Sequence, residues 1–243
     1  MSVVKISSFS THNAYHCPMA DPAFPASSGP ITLAGPAGAL ELAVDLPDLE
    51  GDDGAVAQPV IAVVCHPLPI EGGTMHNKVV TMAARSLREL GVTTVRFNFR
   101  GTGASGGVYD EGRGEVDDLR AVVAWVRQQQ PEVLLWLAGF SFGAYVSLRA
   151  AAELRPAMLI SIAPPAGRWD FDDLALPTMP WLVIQGESDE IVDPQAVYDW
   201  LARSNAQAEL VRMPDTSHFF HRKLIDLRGA IKNGVKPYLP TPE

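Results

Sequence analysis

Residues 133–151, VLLWLAGFSFGAYVSLRAA, hold a serine where the chain forces its hydroxyl into the open. An apolar run of strand character leads into Gly139-Phe140-Ser141-Phe142-Gly143 and directly on into an alanine-rich stretch of helical character. G-x-S-x-G between a strand and a helix is the pattern of a nucleophile turn, in which the serine sits on a strained corner above a sheet edge. A side chain two residues to either side would run into the adjoining strand or helix, so glycine is needed at both places. The helix that begins there points free N–H groups at any oxyanion formed on the serine.

Serine is a weak nucleophile without a base, and the base needs an acid to orient it. With the serine on such a turn, the acid is expected after a later strand and the histidine near the C-terminus. The apolar run 181–185, WLVIQ, is followed by four carboxylates: Glu187, Asp189, Glu190 and Asp193. Asp193 precedes Pro194 and reads as the N-cap of a helix with proline in its first turn. Asp189, in the loop just past the strand end, is the favoured acid, with Glu187 and Glu190 as its alternatives. Of the six histidines, His12 and His16 fall in an irregular leader, and His66 and His76 precede the serine. His218, at a loop tip after Pro214-Asp215-Thr216-Ser217, is the expected base; His221 reads as a helix-surface neighbour.

An oxyanion needs two amide donors. Phe142, directly after the nucleophile, is one. The other is expected from the loop Cys65-His66-Pro67-Leu68-Pro69, where the prolines have no N–H to give, so Leu68 is the candidate. His66 is then read as fixing that loop. A competing motif, Gly101-Thr102-Gly103-Ala104-Ser105-Gly106, fits the G-x-G-x-x-G of a dinucleotide site. Such a site needs its third glycine to open a helix and an acidic residue at the end of the next strand. Here VYDEGRGE intervenes and 121–126 is helical core, so the segment reads as a glycine-rich loop. Arg100 before it is expected to pair with a loop carboxylate. Trp169 and Phe171 are candidates to line a substrate cleft. No His, Cys or Asp cluster has metal-ligand spacing, and the chemistry needs no cofactor.

These residues must be positioned by strands and helices that alternate. Residues 38–46 alternate apolar and polar as a half-buried antiparallel strand. The continuous apolar run at 60–65 reads as a strand buried on both faces, 92–98 as another strand, and 133–138, 157–162 and 181–185 as further buried strands, with a last one at 208–213. Helices are expected around Val80–Leu87 with Gly91 as the stop, around Val116–Val126, and over 142–154 and 194–203. A terminal helix is expected to start near His218. Repeated strand–helix units imply a parallel sheet covered on both faces. Residues 1–30 have no period and read as a loosely held leader, with Met19 as an alternative start and the patterned domain beginning at Ile31.

Composition narrows the function classes. The 243 residues are 47% apolar and carry a formal net charge of −9, which removes the basic footprint of a nucleic-acid binder and disfavours an anionic membrane surface. No apolar run approaches the ~18 residues of a membrane span. Two cysteines, Cys17 and Cys65, make no disulfide framework, and the expected location is cytoplasmic.

The segments CHPLPIEGGTMHNKVV, RFNFRGTGASGG, GFSFGA, GESDEIVDP and DTSHFFH, in that order, resemble a bacterial subgroup of small serine hydrolases of the α/β-hydrolase superfamily, related to dienelactone hydrolases and carboxylesterases. The resemblance covers about residues 31–236. It implies an α/β-hydrolase fold, with a mostly parallel central sheet and helices on both faces; the chain's length suits residues 31–243 as a single catalytic domain. The resemblance maps the triad onto Ser141, Asp189 and His218. Dienelactone hydrolases proper carry cysteine where this chain has Ser141. In the family a cap domain follows the strand ending near Ile162, and the segment 163–180 is too short to hold one. The expectation is an uncapped site acting on small or medium ester molecules, with amide cleavage or a non-catalytic binding role on the same scaffold as alternatives.

Overall fold

The computed structural model describes residues 21–49 and 55–240. The alternative start at Met19, together with His12, His16 and Cys17, lies outside the described residues. The elements in chain order are β1 (Gly29–Gly35), β2 (Gly38–Asp45), β3 (Val60–Cys65), α1 (Lys78–Arg88), β4 (Thr93–Phe97), α2 (Arg113–Gln129), β5 (Leu134–Phe140), α3 (Phe142–Leu154), β6 (Met158–Ile162), β7 (Trp181–Gly186), α4 (Pro194–Arg203), β8 (Glu209–Met213) and α5 (Leu224–Val235). Among the described residues these strands form one eight-stranded sheet in the order β1-β2-β4-β3-β5-β6-β7-β8. β2 is antiparallel to both its neighbours, β1 and β4; β3 through β8 run parallel to one another. This is the α/β-hydrolase architecture.

Alternation along each central strand feeds two cores. Ile61, Val63 and Cys65 of β3, with Leu135 and Leu137 of β5, pack beneath α2, α3 and α4. Val60, Ala62 and Val64, with Trp136, Ala138 and Phe140, pack beneath α1 and α5. A strand buried on both faces needs apolar residues at every position, which is why these runs are continuous. Asn77 caps α1 through its side chain, which accepts from the Val79 amide at 2.9 Å. Gly91, at φ 87°, closes the end of that helix; a Cβ there would lie 1.8 Å from the Val56 carbonyl oxygen.

Three regions differ from the sequence expectations. β1 begins at Gly29 and pairs along its whole length with β2, so a hairpin extends the sheet beyond the patterned segment. Just before it, Phe24 stacks on Trp125 at 5.3 Å and the Pro22 carbonyl accepts from the Trp125 indole N–H at 2.7 Å. These contacts hold residues 22–24 on the body of the molecule. Second, the terminal helix starts at Leu224 and not near His218. Residues 214–223 form successive turns in which Asp215, Phe220 and Arg222 take left-handed backbone, incompatible with continuing a helix. His221 therefore lies in a turn. Third, Arg100 pairs with Asp118 of α2 and not with a loop carboxylate, at 2.8 Å with the aspartate side chain fully buried.

The glycine-rich segment is a loop. Its Gly106 amide donates to the Ala39 carbonyl at 2.8 Å, and Glu41 of β2 accepts from the Ala104 amide at 2.7 Å. No helix opens until Arg113, so the geometry of a dinucleotide turn is missing from these residues. Its role is to pin the hairpin to the rest of the sheet.

Candidate active site

The carboxyl ends of β3, β5, β6, β7 and β8 lie along one edge of the parallel sheet, and the loops leaving them converge there, as ligand sites do in open α/β sheets. Ser141 stands at the corner between β5 and α3 with φ 53° and ψ −118°. The flanking glycines leave no room for a side chain. A Cβ on Gly139 would lie 2.2 Å from the Gly143 carbonyl oxygen, and one on Gly143 would lie 2.3 Å from the Cys65 carbonyl oxygen at the end of β3. The corner is thus as tight as backbone packing allows, and the serine amide is anchored to the Ile162 carbonyl at 2.9 Å.

The structure brings Ser141, Asp189 and His218 together. His218 Nε2 is 3.1 Å from Ser141 Oγ, and Nδ1 is 2.8 Å from Asp189 Oδ2. The three residues are 8%, 8% and 2% exposed in chain order. Since a carboxylate only accepts, Nδ1 carries the proton shared with Asp189, and Nε2 presents its lone pair to the serine hydroxyl. Phe140 and Phe219 pack against the imidazole at centroid distances of 5.1 Å each. Asp189 is held on both oxygens. Oδ1 accepts from the amides of Ile191 (2.9 Å) and Val192 (2.7 Å), and Oδ2 also accepts from Gln185 Nε2 at 3.1 Å. Burial pushes this carboxyl up, but the hydrogen bond and charge of His218, with the two amides, outweigh it and leave it below the ordinary carboxylate range.

The other carboxylates of the β7 loop have separate work. Asp193 caps α4, accepting from the Gln195 amide at 3.0 Å. Glu187 faces Arg212 at 3.6 Å. Glu190 accepts the main-chain N–H of His218 at 3.1 Å. The two loops are further joined by the Glu187 amide to the Met213 carbonyl (2.8 Å) and the Ser188 amide to the Thr216 carbonyl (3.1 Å). That approach depends on Gly186, where a Cβ would lie 2.4 Å from the Thr216 carbonyl oxygen.

On the opposite side, the β3 loop carries His66, Pro67 and Leu68. The His66 ring spans its own loop: Nδ1 donates to the Pro67 carbonyl at 2.7 Å, and Nε2 accepts from the Phe99 amide at 3.0 Å. Burial pushes its pKa down to about 4, so the ring is a neutral brace. Among the described residues, neither the Leu68 nor the Phe142 amide donates to a protein acceptor. Both residues line a cleft of about 410 Å³ with Ser141 and His218. Trp169, Pro165, Ile191, Val192 and Phe219 form its apolar walls, and Glu71 and Arg168 border it. Phe171 is not part of this cleft; it is buried against Trp200 at 4.9 Å and Tyr145 at 5.5 Å. The segment 163–180 crosses the cleft edge with only a single β-bridge, Ala166 to Trp169, and no cap.

Gln185 and Glu190 were not assigned these contacts from sequence. Gln185 sits inside an otherwise apolar strand, and a buried amide one turn before the acid was its only signal. Glu190 was visible as a carboxylate in the right loop, but which atom it would accept from depends on how two loops close. Among the described residues no group of three His, Cys, Asp or Glu side chains is placed to hold a metal ion, and no helix is long and apolar enough to cross a membrane.

Known proteins share this arrangement of elements. A family profile for X-Pro dipeptidyl-peptidase (S15 family) matches residues 63–178. A lidless α/β serine hydrolase from Xanthomonas campestris is 66% identical, covering 92% of this chain and 100% of its own, with a TM-score of 0.88. An α/β serine hydrolase homologue from Coxiella burnetii is 42% identical over 88% of this chain and all of its own, with a TM-score of 0.82. A dienelactone hydrolase from Anabaena variabilis, 18% identical with a TM-score of 0.68 over 88% of this chain and 99% of its own, shares the fold.

Proposed function

As the chain belongs to the α/β serine hydrolases, we propose that it cleaves carboxylic ester bonds of small or medium molecules through an acyl-enzyme on Ser141. The observation that carries this reading is the continuous relay from Asp189 Oδ2 to His218 Nδ1 at 2.8 Å and from His218 Nε2 to Ser141 Oγ at 3.1 Å. Ser141 Oγ attacks the ester carbonyl as His218 Nε2 takes its proton. Asp189 keeps the proton on Nδ1 and stabilises the imidazolium that forms. The tetrahedral oxyanion is held by the amides of Phe142 and Leu68, each donor worth about 2.7–4 kcal/mol in such sites. His218 then passes its proton to the departing alcohol oxygen, the ester C–O bond breaks, and the acyl group stays on Ser141. Water, deprotonated by the same histidine, attacks the acyl carbon; the Ser141 Oγ–acyl bond breaks, Oγ takes the proton back from His218, and the acid leaves. Trp169, Phe219 and Ile191 give the open cleft its apolar contact surface, which suits acyl groups of modest size. The free, buried thiol of Cys65 accords with a reducing, cytoplasmic setting.

A second reading, amide or peptide cleavage, is favoured by the match to the S15 peptidase profile over residues 63–178. Fold and relay serve both reactions. The deciding experiment has two steps. Intact mass after treatment with a fluorophosphonate is expected to show one adduct on wild type and none on Ser141→Ala. Turnover of an ester is then compared with that of its isosteric anilide. An unlabelled but well-folded wild type would remove the hydrolase mechanism and leave a binding role. Faster anilide turnover would replace the esterase by an amidase.

A further inference from the structure

The turn that carries His218 is costly to hold. Asp215 on one side and Phe220 and Arg222 on the other are non-glycine residues with φ of 50°, 54° and 59°. Left-handed backbone at such residues costs on the order of 1–3 kcal/mol each and persists only where the surroundings over-determine it. Main-chain bonds already join the β7 and β8 loops at Glu187 and Ser188, before His218 is reached. At His218 itself the restraint is a side chain: Glu190 Oε2, on the main-chain N–H at 3.1 Å. Glu190 is exposed and forms no ion pair among the described residues; the hydrogen bond it accepts comes from the residue that must move a proton.

We propose that Glu190 is a positioning residue for His218, clasping its main-chain N–H while the neighbouring Asp189 holds its ring. The inference rests on the hydrolase reading above. Two consecutive carboxylates thus fix one histidine at two points, backbone and Nδ1, which leaves Nε2 a single direction in which to face. A charge-assisted bond from a carboxylate to an amide is about twice as strong as a neutral one, so it can offset part of the turn's strain. The other charged or titratable groups around His218 are few. Glu71 and Arg168 border the cleft, and His66 is neutral within the β3 loop. Lys78, His221 and Arg222 line the adjoining hollow behind Phe219. Asp215 shares the turn, and Glu187 is engaged by Arg212.

The test uses Glu190→Ala and Glu190→Gln in the full chain, read by the rate of fluorophosphonate labelling of Ser141 and by kcat and KM for p-nitrophenyl butyrate across pH. Losing the clasp in Glu190→Ala is expected to lower kcat and the labelling rate about tenfold with KM little changed. Glu190→Gln keeps an acceptor oxygen and is expected to recover most of that loss. Amide hydrogen exchange supplies the second measurement: faster exchange at His218 alone supports a local clasp. Exchange rising throughout β7 and β8 would make Glu190 a general loop staple and overturn the proposal. So would a Glu190→Ala enzyme within about twofold of wild type at every pH, since a charged hydrogen bond is worth more than that. A wild type inert to probe and ester would sink the hydrolase reading instead; unchanged His218 exchange in Glu190→Ala would then sink the clasp separately.

Discussion

Replacing Leu68 by proline would remove one N–H from the proposed oxyanion site, put the ring Cδ in place of that hydrogen, and exchange the leucine side chain on the cleft wall for the ring. Leu68 has φ −52° and ψ 118°. Proline fixes φ near −65 ± 15°, and the proline that follows at position 69 already demands the extended ψ that Leu68 has. Its amide donates to no protein acceptor among the described residues, so no structural hydrogen bond is lost. The Leu68 carbonyl, which accepts from Glu71 (3.2 Å) and Gly73 (3.0 Å), is unaffected. Stability is therefore expected to stay within about 1 kcal/mol of wild type. Losing one of two oxyanion donors should cost about 2.7–4 kcal/mol of transition-state stabilisation, a fall of about 10²–10³ in kcat with KM little changed. The assay is steady-state ester hydrolysis with urea unfolding of the same preparation. Leu68→Ala serves as the control, since it keeps the N–H and removes the side chain from the cleft wall. A folded Leu68→Pro enzyme within about threefold of wild type would refute Leu68 as a donor, because no partial loss of an N–H is possible. Equal losses in the two variants would place the effect in cleft shape instead.

Further tests bear on other contacts. Asp189→Asn should fold, because its oxygen can still accept from Ile191 and Val192 while its NH2 faces His218 and a flipped Gln185. That orientation turns Nδ1 into an acceptor and moves the ring proton to Nε2, so kcat should fall by about 10³–10⁴; a loss under about tenfold would contradict the relay. Gly143→Ala drives a Cβ into the Cys65 and His66 carbonyls and should cost about 1–3 kcal/mol or more in urea unfolding, with slower labelling of whatever folds. Arg100→Leu strands the buried Asp118 carboxylate and should cost about 3–5 kcal/mol, read in the same way. His66, held at about 4 when folded and near 6.5 when unfolded, binds its proton mainly in the unfolded chain between those values. The stability it contributes is complete above pH 6.5 and falls as pH drops towards 4, by on the order of 3 kcal/mol. His66→Gln should flatten that part of the stability–pH curve, and an unchanged slope would refute a buried neutral imidazole.

The sequence made the interior strands legible because burial on both faces leaves an unbroken apolar run, as in VIAVVC at 60–65, whose bounds coincide with β3. Ser141 was legible for a similar reason: two glycines that backbone contact makes obligatory leave a fixed spacing in the text. The terminal helix was misplaced because nothing in SHFFHRKL announces left-handed backbone at Phe220 and Arg222, residues whose types disfavour it. β1 was missed because GPITLAG has glycine at both ends and proline at its second position, so its strand character comes from pairing with β2. Phe171 and Trp169, two positions apart, were indistinguishable by type, yet one faces the cleft and the other faces Trp200. The contacts of Gln185 and Glu190 depend on two separate loops meeting, a tertiary fact with no local signature.

The serine lies 77 positions ahead of the histidine it contacts, and the acid falls between them. The nucleophile proposed here is therefore synthesised well before the base that would arm it. On the proposed reading, a chain interrupted ahead of β8 lacks His218 and carries Ser141 without its base. If the proposed triad holds, reactivity is in effect a receipt for a finished C-terminal segment. A serine-directed probe applied to a mixed population would count completed molecules and pass over the fragments, whatever their abundance by mass.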